Sequence, residues 1–426
     1  MRILFHALNY APEPTGTGKY TAEMAEWLAS RGHAVDVIAA PPHYPGWSIA
    51  PEYRNRGRQL ETIRGVHVYR VPVRLPGPPT DAAPTGTAPV RVGTKDRLLL
   101  ETSYTLNSLP VWVREALLHN RYDLAVAICP PLQSSLLPLL YSALRGVPWI
   151  VHVQDLQVDA AVRLNLLRRG AGIRALYRAE SFFLRHAAEV TTITQPMADR
   201  IIEKGARPDR VAVYENWANL DEVRPHLRDN ACRRDALGAD PDDVVVMYAG
   251  NMGEKQGLDL LLDAAQVLES DRAIRFALIG NGAARSRLEQ EAANRRLSNL
   301  RFSNVQPRER LGEMLAAADI HAVVQKPEAA DLVMPSKLTN IFAAGRPVVA
   351  TAEPGTALYH AVIDSGAGVV TEPLKPAAFA QAVAALASNA DQRVEMGRKA
   401  RRYAERNWDR DTIMEGFERD LLRLVR

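Results

Sequence analysis

Apolar residues in this chain fall in short runs separated by amphipathic stretches, the pattern of strands alternating with helices. Ile3 to Leu8 is a compact apolar run, followed by a Pro- and Gly-rich loop from Ala11 to Gly18. Tyr20, Met24, Trp27 and Leu28 then recur at helical spacing over Lys19 to Ser30, Gly32 stops the helix, and Ala34 to Ala40 is a second apolar run. Strand, helix and strand in so short a span predict a parallel pair with a right-handed crossover. Further strands are predicted at Leu124 to Ile128, Trp149 to Gln154, Val190 to Ile193 and Val211 to Tyr214.

The pattern restarts at Val244 to Ala249, with a Gly-rich loop, a helix from Leu258 to Leu268, and strands at Phe276 to Ile279, Ile320 to Val324 and Val348 to Thr351. Two such halves predict an α/β chain of two doubly wound domains. The polar segment 222–243, carrying Pro225, Gly238 and Pro241, reads as the linker, which gives domains 1–222 and 223–405. Tyr403 to Arg426, including Trp408 and Asp409, is helical in pattern, and residues 406–426 are expected as a closing helix. Pro76 to Pro89 reads as an irregular loop, either a lid or a tolerated insertion.

With 426 residues the chain exceeds one ordinary core. Its 47% apolar and 24% charged residues are a globular balance. No apolar run reaches eighteen residues, and the first residues lack the pattern of a secretory leader, so a cytoplasmic protein is expected. The two cysteines, Cys129 and Cys232, exclude a disulfide framework and suit a reducing compartment. Residues 1–220 hold 25 Lys and Arg against 19 Asp and Glu, whereas the remainder holds 28 against 30. A basic first half can meet an anionic membrane or a phosphorylated acceptor, or be a plain solvated surface. Without dense basic runs interleaved with aromatics, nucleic acid is not an expected partner.

Ligands of open parallel sheets bind beyond the carboxyl ends of the strands. Three loops fall there. Gly16 and Gly18, before Lys19, would let backbone N–H groups approach an anion, or would make a tight turn. Gly250-Asn251-Met252-Gly253-Glu254-Lys255-Gln256-Gly257 suits a diphosphate, or a capped loop. Met334-Pro335-Ser336-Lys337 opens a helix in which Lys337 and Asn340 share a face, a phosphate and ribose clamp or ordinary capping by Ser336. In the first half, the strand ending at Gln154 brings His152, Gln154, Asp155 and Asp159 to one rim as candidate acceptor ligands.

These blocks, in this order, resemble the family 4 glycosyltransferases, retaining enzymes of the GT-B fold. NYAPEPTGTGKYTAEMAEWLASRGHAVDVIAAPPHYP, HVQDLQVDAA, YAGNMGEKQGLDLLLDAA, LIGNG and ADLVMPSKLTNIFAAGRPVVAT are most similar to the colanic-acid fucosyltransferase subgroup. The resemblance implies two Rossmann-like domains facing across a cleft, the first for acceptor and the second for a nucleotide sugar. It places Gly16, Gly18, Asn251 and Lys255 at the donor diphosphate, Gly280, Gly282 and Val305 at the nucleobase, and Ser336, Lys337 and Asn340 at phosphate and ribose. Three positions depart from the family pattern. Leu332 and Asn340 stand where a glutamate pair is usual, leaving Glu328 or Asp331 to supply a carboxylate. Asn251 replaces an arginine, and Gln154-Asp155 replaces a His-Asp pair, with His152 nearby.

The resemblance implies front-face substitution at the anomeric carbon, the leaving diphosphate taking the acceptor proton. No cofactor or metal is expected. GDP-fucose is the first expected donor and a UDP-sugar the second. The implied acceptor is a polyprenyl-diphosphate-linked saccharide at the inner membrane leaflet. The stretch Arg163 to Arg185, in which arginines interleave with Leu164, Leu166, Leu167, Ile173, Leu176 and Phe182, can lie peripherally on that leaflet, or be a helix packed by its leucines. A UDP-sugar 2-epimerase and a non-catalytic partner of the same fold are the alternatives, although the ten histidines form no evident cluster.

Overall fold

The computed structural model describes residues 1–13, 16–43, 47–75, 94–117, 122–163, 170–225, 234, 237–327 and 336–425. The loop expected at Pro76 to Pro89 lies outside the described residues, as do Cys232, Glu328 and Asp331. The chain divides into two compact units, Met1–Glu215 with Asp411–Arg426, and Asn216–Arg410.

The first unit runs β1 (Arg2–His6), α1 (Gly16–Ser30), β2 (Ala34–Ala39), β3 (Gln59–Ile63), β4 (Val66–Arg70), α2 (Thr94–Leu117), β5 (Leu124–Cys129) and α3 (Leu136–Arg145). It continues with β6 (Trp149–Val153), α4 (Gln157–Arg163), α5 (Ala171–His186), β7 (Glu189–Thr192), α6 (Gln195–Glu203) and β8 (Val211–Val213). The sheet order is β3-β4-β2-β1-β5-β6-β7-β8, parallel except for the antiparallel pair β3–β4. Every residue of β5 is buried, because helices cover both faces of a parallel sheet, and so it reads as one apolar run. The β3–β4 pair escapes such a reading: β3 is an edge strand whose Gln59, Glu61 and Leu60 are half-buried or exposed. Arg70 anchors that edge. It is 1% exposed, donates to Glu61 Oε1 at 2.6 Å and to the Ala40 carbonyl at 2.8 Å, and reaches the Ala11 carbonyl. Its charge is thus paired and each of its three nitrogens is hydrogen-bonded, the condition under which a buried guanidinium is tolerated.

The second unit runs β9 (Val244–Ala249), α7 (Asp259–Val267), β10 (Ile274–Ile279), α8 (Arg285–Asn294), β11 (Leu300–Ser303), α9 (Leu311–Ala316) and β12 (Ile320–Val323). Then come α10 (Lys337–Ala343), β13 (Val348–Thr351), α11 (Ala357–Ser365), β14 (Gly368–Thr371), α12 (Pro376–Ala387) and α13 (Ala390–Asn407). The sheet order is β11-β10-β9-β12-β13-β14, with every pair parallel. This is the doubly wound order, and it reverses between β9 and β12.

The helical stretch expected from Tyr403 onward is two helices, α13 and α14 (Arg410–Val425), broken at Trp408 and Asp409. Trp408 is buried against Phe342 (5.4 Å between ring centroids) and Tyr403 (5.0 Å), and its carbonyl accepts from Ala218 N at 3.0 Å. Ala218 and Val223 share that core. The division between units therefore falls before Asn216 rather than at 222, since burial begins before the polar run does.

Helix α14 belongs to the first unit. Trp27 Nε1 donates to Asp411 at 3.1 Å, His33 pairs with Glu418 at 2.7 Å, and Tyr214 donates its hydroxyl to Asp420. Phe417 is fully buried, edge-on to Tyr214 (5.3 Å) and His152 (6.5 Å). Phe417→Ala is expected to lower stability by about 3–5 kcal/mol through the cavity it leaves, read as the unfolding free energy in urea.

Candidate active site

In the second unit the carboxyl ends of β9 and β10 carry two loops in close contact. Gly250 N donates to the Ile279 carbonyl at 2.9 Å, and Met252 N to the Asn281 carbonyl at 2.8 Å. A Cβ on Gly280 would lie 1.9 Å from the Gly250 carbonyl oxygen, and one on Gly282 would lie 2.5 Å from both Asn251 Oδ1 and the Met252 carbonyl. The loops can cross this closely only with glycine at both places, a structural reason for the LIGNG block alongside the nucleobase role the resemblance implies.

Lys337, the first residue of α10, reaches back to the same place. Its Nζ sits 3.9 Å from the centroid of the Tyr248 ring, and a Cβ on Gly250 would be 3.5 Å from it. Tyr248 is itself buried and donates its hydroxyl to the Asn251 carbonyl at 2.6 Å, which fixes the ring under the ammonium. A ring face attracts a cation, but it does not neutralise one. Among the described residues no carboxylate pairs with Lys337, and burial pushes its ammonium down to about 7. This group sits beside β9, at the strand-order reversal where open α/β sheets take ligands.

The other expected donor residues line the same edge. Asn251 and Ser336 are exposed and Asn340 is half-buried. Ser336 precedes α10, but its side chain caps none of the helix's first N–H groups. Val305, two residues past β11, is 68% exposed. Lys255 stands on the short 3-10 turn Glu254–Gln256, and its side chain lies outside the described residues, as does Glu328 altogether. Lys326 was not foreseen. It follows β12, the other strand of the reversal, and its stem packs so that a Cβ on Gly257 would come within 3.0 Å of Cγ. Only its position after an apolar strand end could have signalled it.

The first unit gives Gly18 and His152 internal partners. Gly16 is exposed at the start of α1, but the space beside Gly18 is filled by the protein's own carboxylate: a Cβ there would lie 2.8 Å from Glu13 Oε2. Glu13 accepts from Asn9 Nδ2 at 2.8 Å and from His43 N at 3.0 Å. This internal contact by itself accounts for a glycine at position 18. His152 and Gln154 do not open onto a rim together with Asp159. His152 is buried between Thr191 (Nδ1 to Oγ1, 2.8 Å) and the Gln154 amide (2.7 Å to Nε2), with Phe417 at its edge, and burial pushes its pKa down to about 4. It is a neutral core imidazole. Asp159 is held by Lys204 and Arg200, while Asp155 is half-buried at the start of the loop after β6. Sequence reasoning also passed over His6, the last residue of β1. Its Nδ1 donates to the Ser134 carbonyl at 2.8 Å, and its Nε2 and the Ser134 and Ser135 hydroxyls are buried without a partner among the described residues.

Two family models match the chain: "Glycosyl transferase 4-like domain" over residues 15–217 and "Glycosyl transferases group 1" over residues 230–403. The putative colanic acid biosynthesis glycosyl transferase WcaI of Escherichia coli (strain K12) is 34% identical over 431 residues, covering 99% of this chain and 100% of that protein. The chain belongs to the family 4-like glycosyltransferases. Among solved structures, sucrose-phosphate synthase from Thermosynechococcus elongatus superposes with a TM-score of 0.76 at 16% identity, covering 100% of this chain and 99% of that one. HepE of Anabaena, in complex with UDP, gives 0.70 at 16% identity, covering 99% of each chain. These likenesses carry the fold, which is GT-B. The protein is a nucleotide-sugar-dependent glycosyltransferase.

In this glycosyltransferase, no group of three or more His, Cys, Asp or Glu among the described residues is arranged to hold a metal ion, and no described helix is long and apolar enough to cross a membrane. In the stretch expected at the membrane, Arg174, Leu176, Arg178, Phe182 and Arg185 are exposed on α5, Ile173 is buried, and residues 164–169 lie outside the described residues.

Lys337 gives a proton-linked expectation. With its pKa near 7 in the free protein, an anion bound beside it favours the charged form and raises that value. Nucleoside diphosphate binding at pH 7 to 8 should take up a proton, and affinity should fall as pH rises through this range. Calorimetry in two buffers of different ionisation enthalpy reads the uptake directly. In the free protein the sign for folding is opposite. The unfolded chain, with its lysine near 10.4, binds the extra proton, so Lys337 contributes stability that increases as pH rises from about 7. Separately, Gly280→Ala should cost at least about 2–3 kcal/mol, because its methyl meets backbone rather than a movable side chain; thermal unfolding measures it.

Proposed function

We propose that this glycosyltransferase moves a sugar from a nucleotide diphosphate to a lipid-linked saccharide, with retention of anomeric configuration, in synthesis of a colanic-acid-like exopolysaccharide. GDP-fucose is the first candidate donor and a UDP-sugar the second. The observation that carries the reading is the Lys337 ammonium, set 3.9 Å over Tyr248 with no carboxylate partner among the described residues. The 34% identity to WcaI over the full chain supports the exopolysaccharide setting.

In this reading the second unit holds the donor. Lys337 and Lys255 face the diphosphate, Asn251 adds an amide where charge is absent, and Ser336 and Asn340 bond phosphate and ribose hydroxyls. Val305 borders the base. The acceptor oxygen forms its bond to the anomeric carbon on the face from which the diphosphate leaves, and its proton passes to the departing phosphate oxygen. The charge that develops there is what the ammonium groups stabilise, so neither a metal ion nor a strong protein base is required. The first unit receives the acceptor at the inner leaflet.

A thermal-shift series with GDP-, UDP- and dTDP-sugars tests the donor. A cognate donor at 100 times its Kd should add about 2.7 kcal/mol to folding. Lys337→Met should keep the fold and lose roughly 10- to 100-fold in kcat/KM, the worth of a charge-assisted contact. Undiminished donor stabilisation in that variant removes Lys337 from the site, and a product of inverted anomeric configuration by proton NMR overturns retention.

A further inference from the structure

The first unit carries an apolar face that its own fold leaves uncovered. Helix α2 packs against α3, and α3 against α5, so the three form one layer on the sheet. The inner face of α2 is core: Leu100, Tyr104, Val111 and Trp112 are buried. Its outer face is nearly as apolar, with Leu98, Leu106, Leu109, Val113 and Leu117 between 43% and 74% exposed. On α3, Leu136, Leu140 and Leu144 stand four apart, one above the other, and are 39%, 48% and 75% exposed. On α5, Leu176 and Phe182 continue the face. More than half of the exposed large apolar side chains among the described residues lie on these three helices, a concentration that marks an interaction surface rather than scattered leucines.

The exposed charges on these three helices have one sign. Lys95, Arg97 and Arg114 are exposed on α2, and Arg174, Arg178 and Arg185 on α5. No Asp or Glu on α2, α3 or α5 is exposed: Glu101, Glu115 and Glu180 are buried, and Asp96 is half-buried. Arg174, Arg178 and Arg185 have no ion pair among the described residues. Arg178, Arg185 and His186 also rim a hollow of about 550 Å³ beside Phe182. Its lysine, Lys204, is already taken by Asp159 and Glu180, and its acid, Glu203, by Arg200. Arg97 and Arg114 are paired with Glu101 and Glu115 on their own helix, but apolar side chains that can enter a headgroup layer, flanked by the unpaired arginines of α5, fit an anionic lipid surface. A second copy of the chain fits poorly, since a two-fold contact through this face would set cations against cations.

We propose that the outer face of α2, α3 and α5 docks this protein on an anionic bilayer, with its leucines in the headgroup layer and lipid phosphates at the α5 arginines. This gives the peripheral-membrane part of the function proposed above a definite surface and rests on that part alone. The test is co-sedimentation of the full chain with vesicles of phosphatidylglycerol and phosphatidylcholine in equal parts, against phosphatidylcholine alone, with nucleotide-dependent thermal stabilisation measured in parallel. Binding should require the anionic lipid and weaken with salt. Leu140→Gln with Leu144→Gln should weaken it at least about tenfold, and Arg174→Gln, Arg178→Gln and Arg185→Gln together roughly a hundredfold, both variants keeping the nucleotide effect that reports a folded chain. Undiminished vesicle binding in both variants, or none by the unaltered protein, overturns the proposal. So does a self-associated chain that the substitutions split, in which case the face belongs to a second copy. A nucleotide that fails to stabilise the unaltered protein counts against the donor site and leaves the vesicle result standing.

Discussion

An ammonium group laid on an aromatic ring, beside the strand where chain order reverses, is the contact on which the proposed donor site of the second unit depends. Tyr248 can hold Lys337 in place but cannot cancel its charge, and burial has already weakened that charge. The cheapest way to restore it is an anion from outside. Glycines shape the surroundings of the ammonium: a Cβ at Gly250 would stand 3.5 Å from its nitrogen, and Gly280 and Gly282 let the neighbouring loop lie against the Gly250 loop. In the proposed reaction the anion is the departing diphosphate, which would put binding and leaving-group stabilisation on the same group.

The parts of the fold that could be read from the residues are those whose environment is uniform. β5 and β9 are buried on both sides and appear as unbroken apolar runs. β3, at an edge, and β14, half-buried throughout, carry no such run and stayed invisible. Helix α1 was legible because Tyr20, Met24 and Trp27 do bury one face. Candidate chemistry was harder to read, because a side chain's role depends on partners distant in sequence. Gly18 reads equally as part of an anion-binding loop or as a tight turn, and the Glu13 carboxylate beside it is not visible from the local sequence. His152 looked like a rim group because it stands near a strand end. The strand is buried along its whole length, and on the face His152 occupies Phe417 from the last helix closes over it. Lys337 could be picked out by its place at a helix start, but nothing local pointed to Tyr248.

As proposed, binding the donor and meeting the membrane would fall to different residue sets, one in each unit. The donor edge is built from loops whose glycines fix the backbone, with few side chains free to vary. The outer face of α2 and α3 is built from interchangeable leucines on regular helices, where one residue more or less changes strength rather than geometry. Substitutions should accordingly be graded on the helical face and abrupt at Gly280.

Helix α14 closes over the sheet that the first two hundred residues build, with Phe417 sealing His152 and Asp411 meeting Trp27. All of the second unit is translated in between. As the chain leaves the ribosome, the early sheet must wait, with the patch around Trp27, His152 and Tyr214 uncovered, until its final piece emerges. A nascent chain halted before Asp411 would hold every residue of the second unit and leave that patch of the first uncovered.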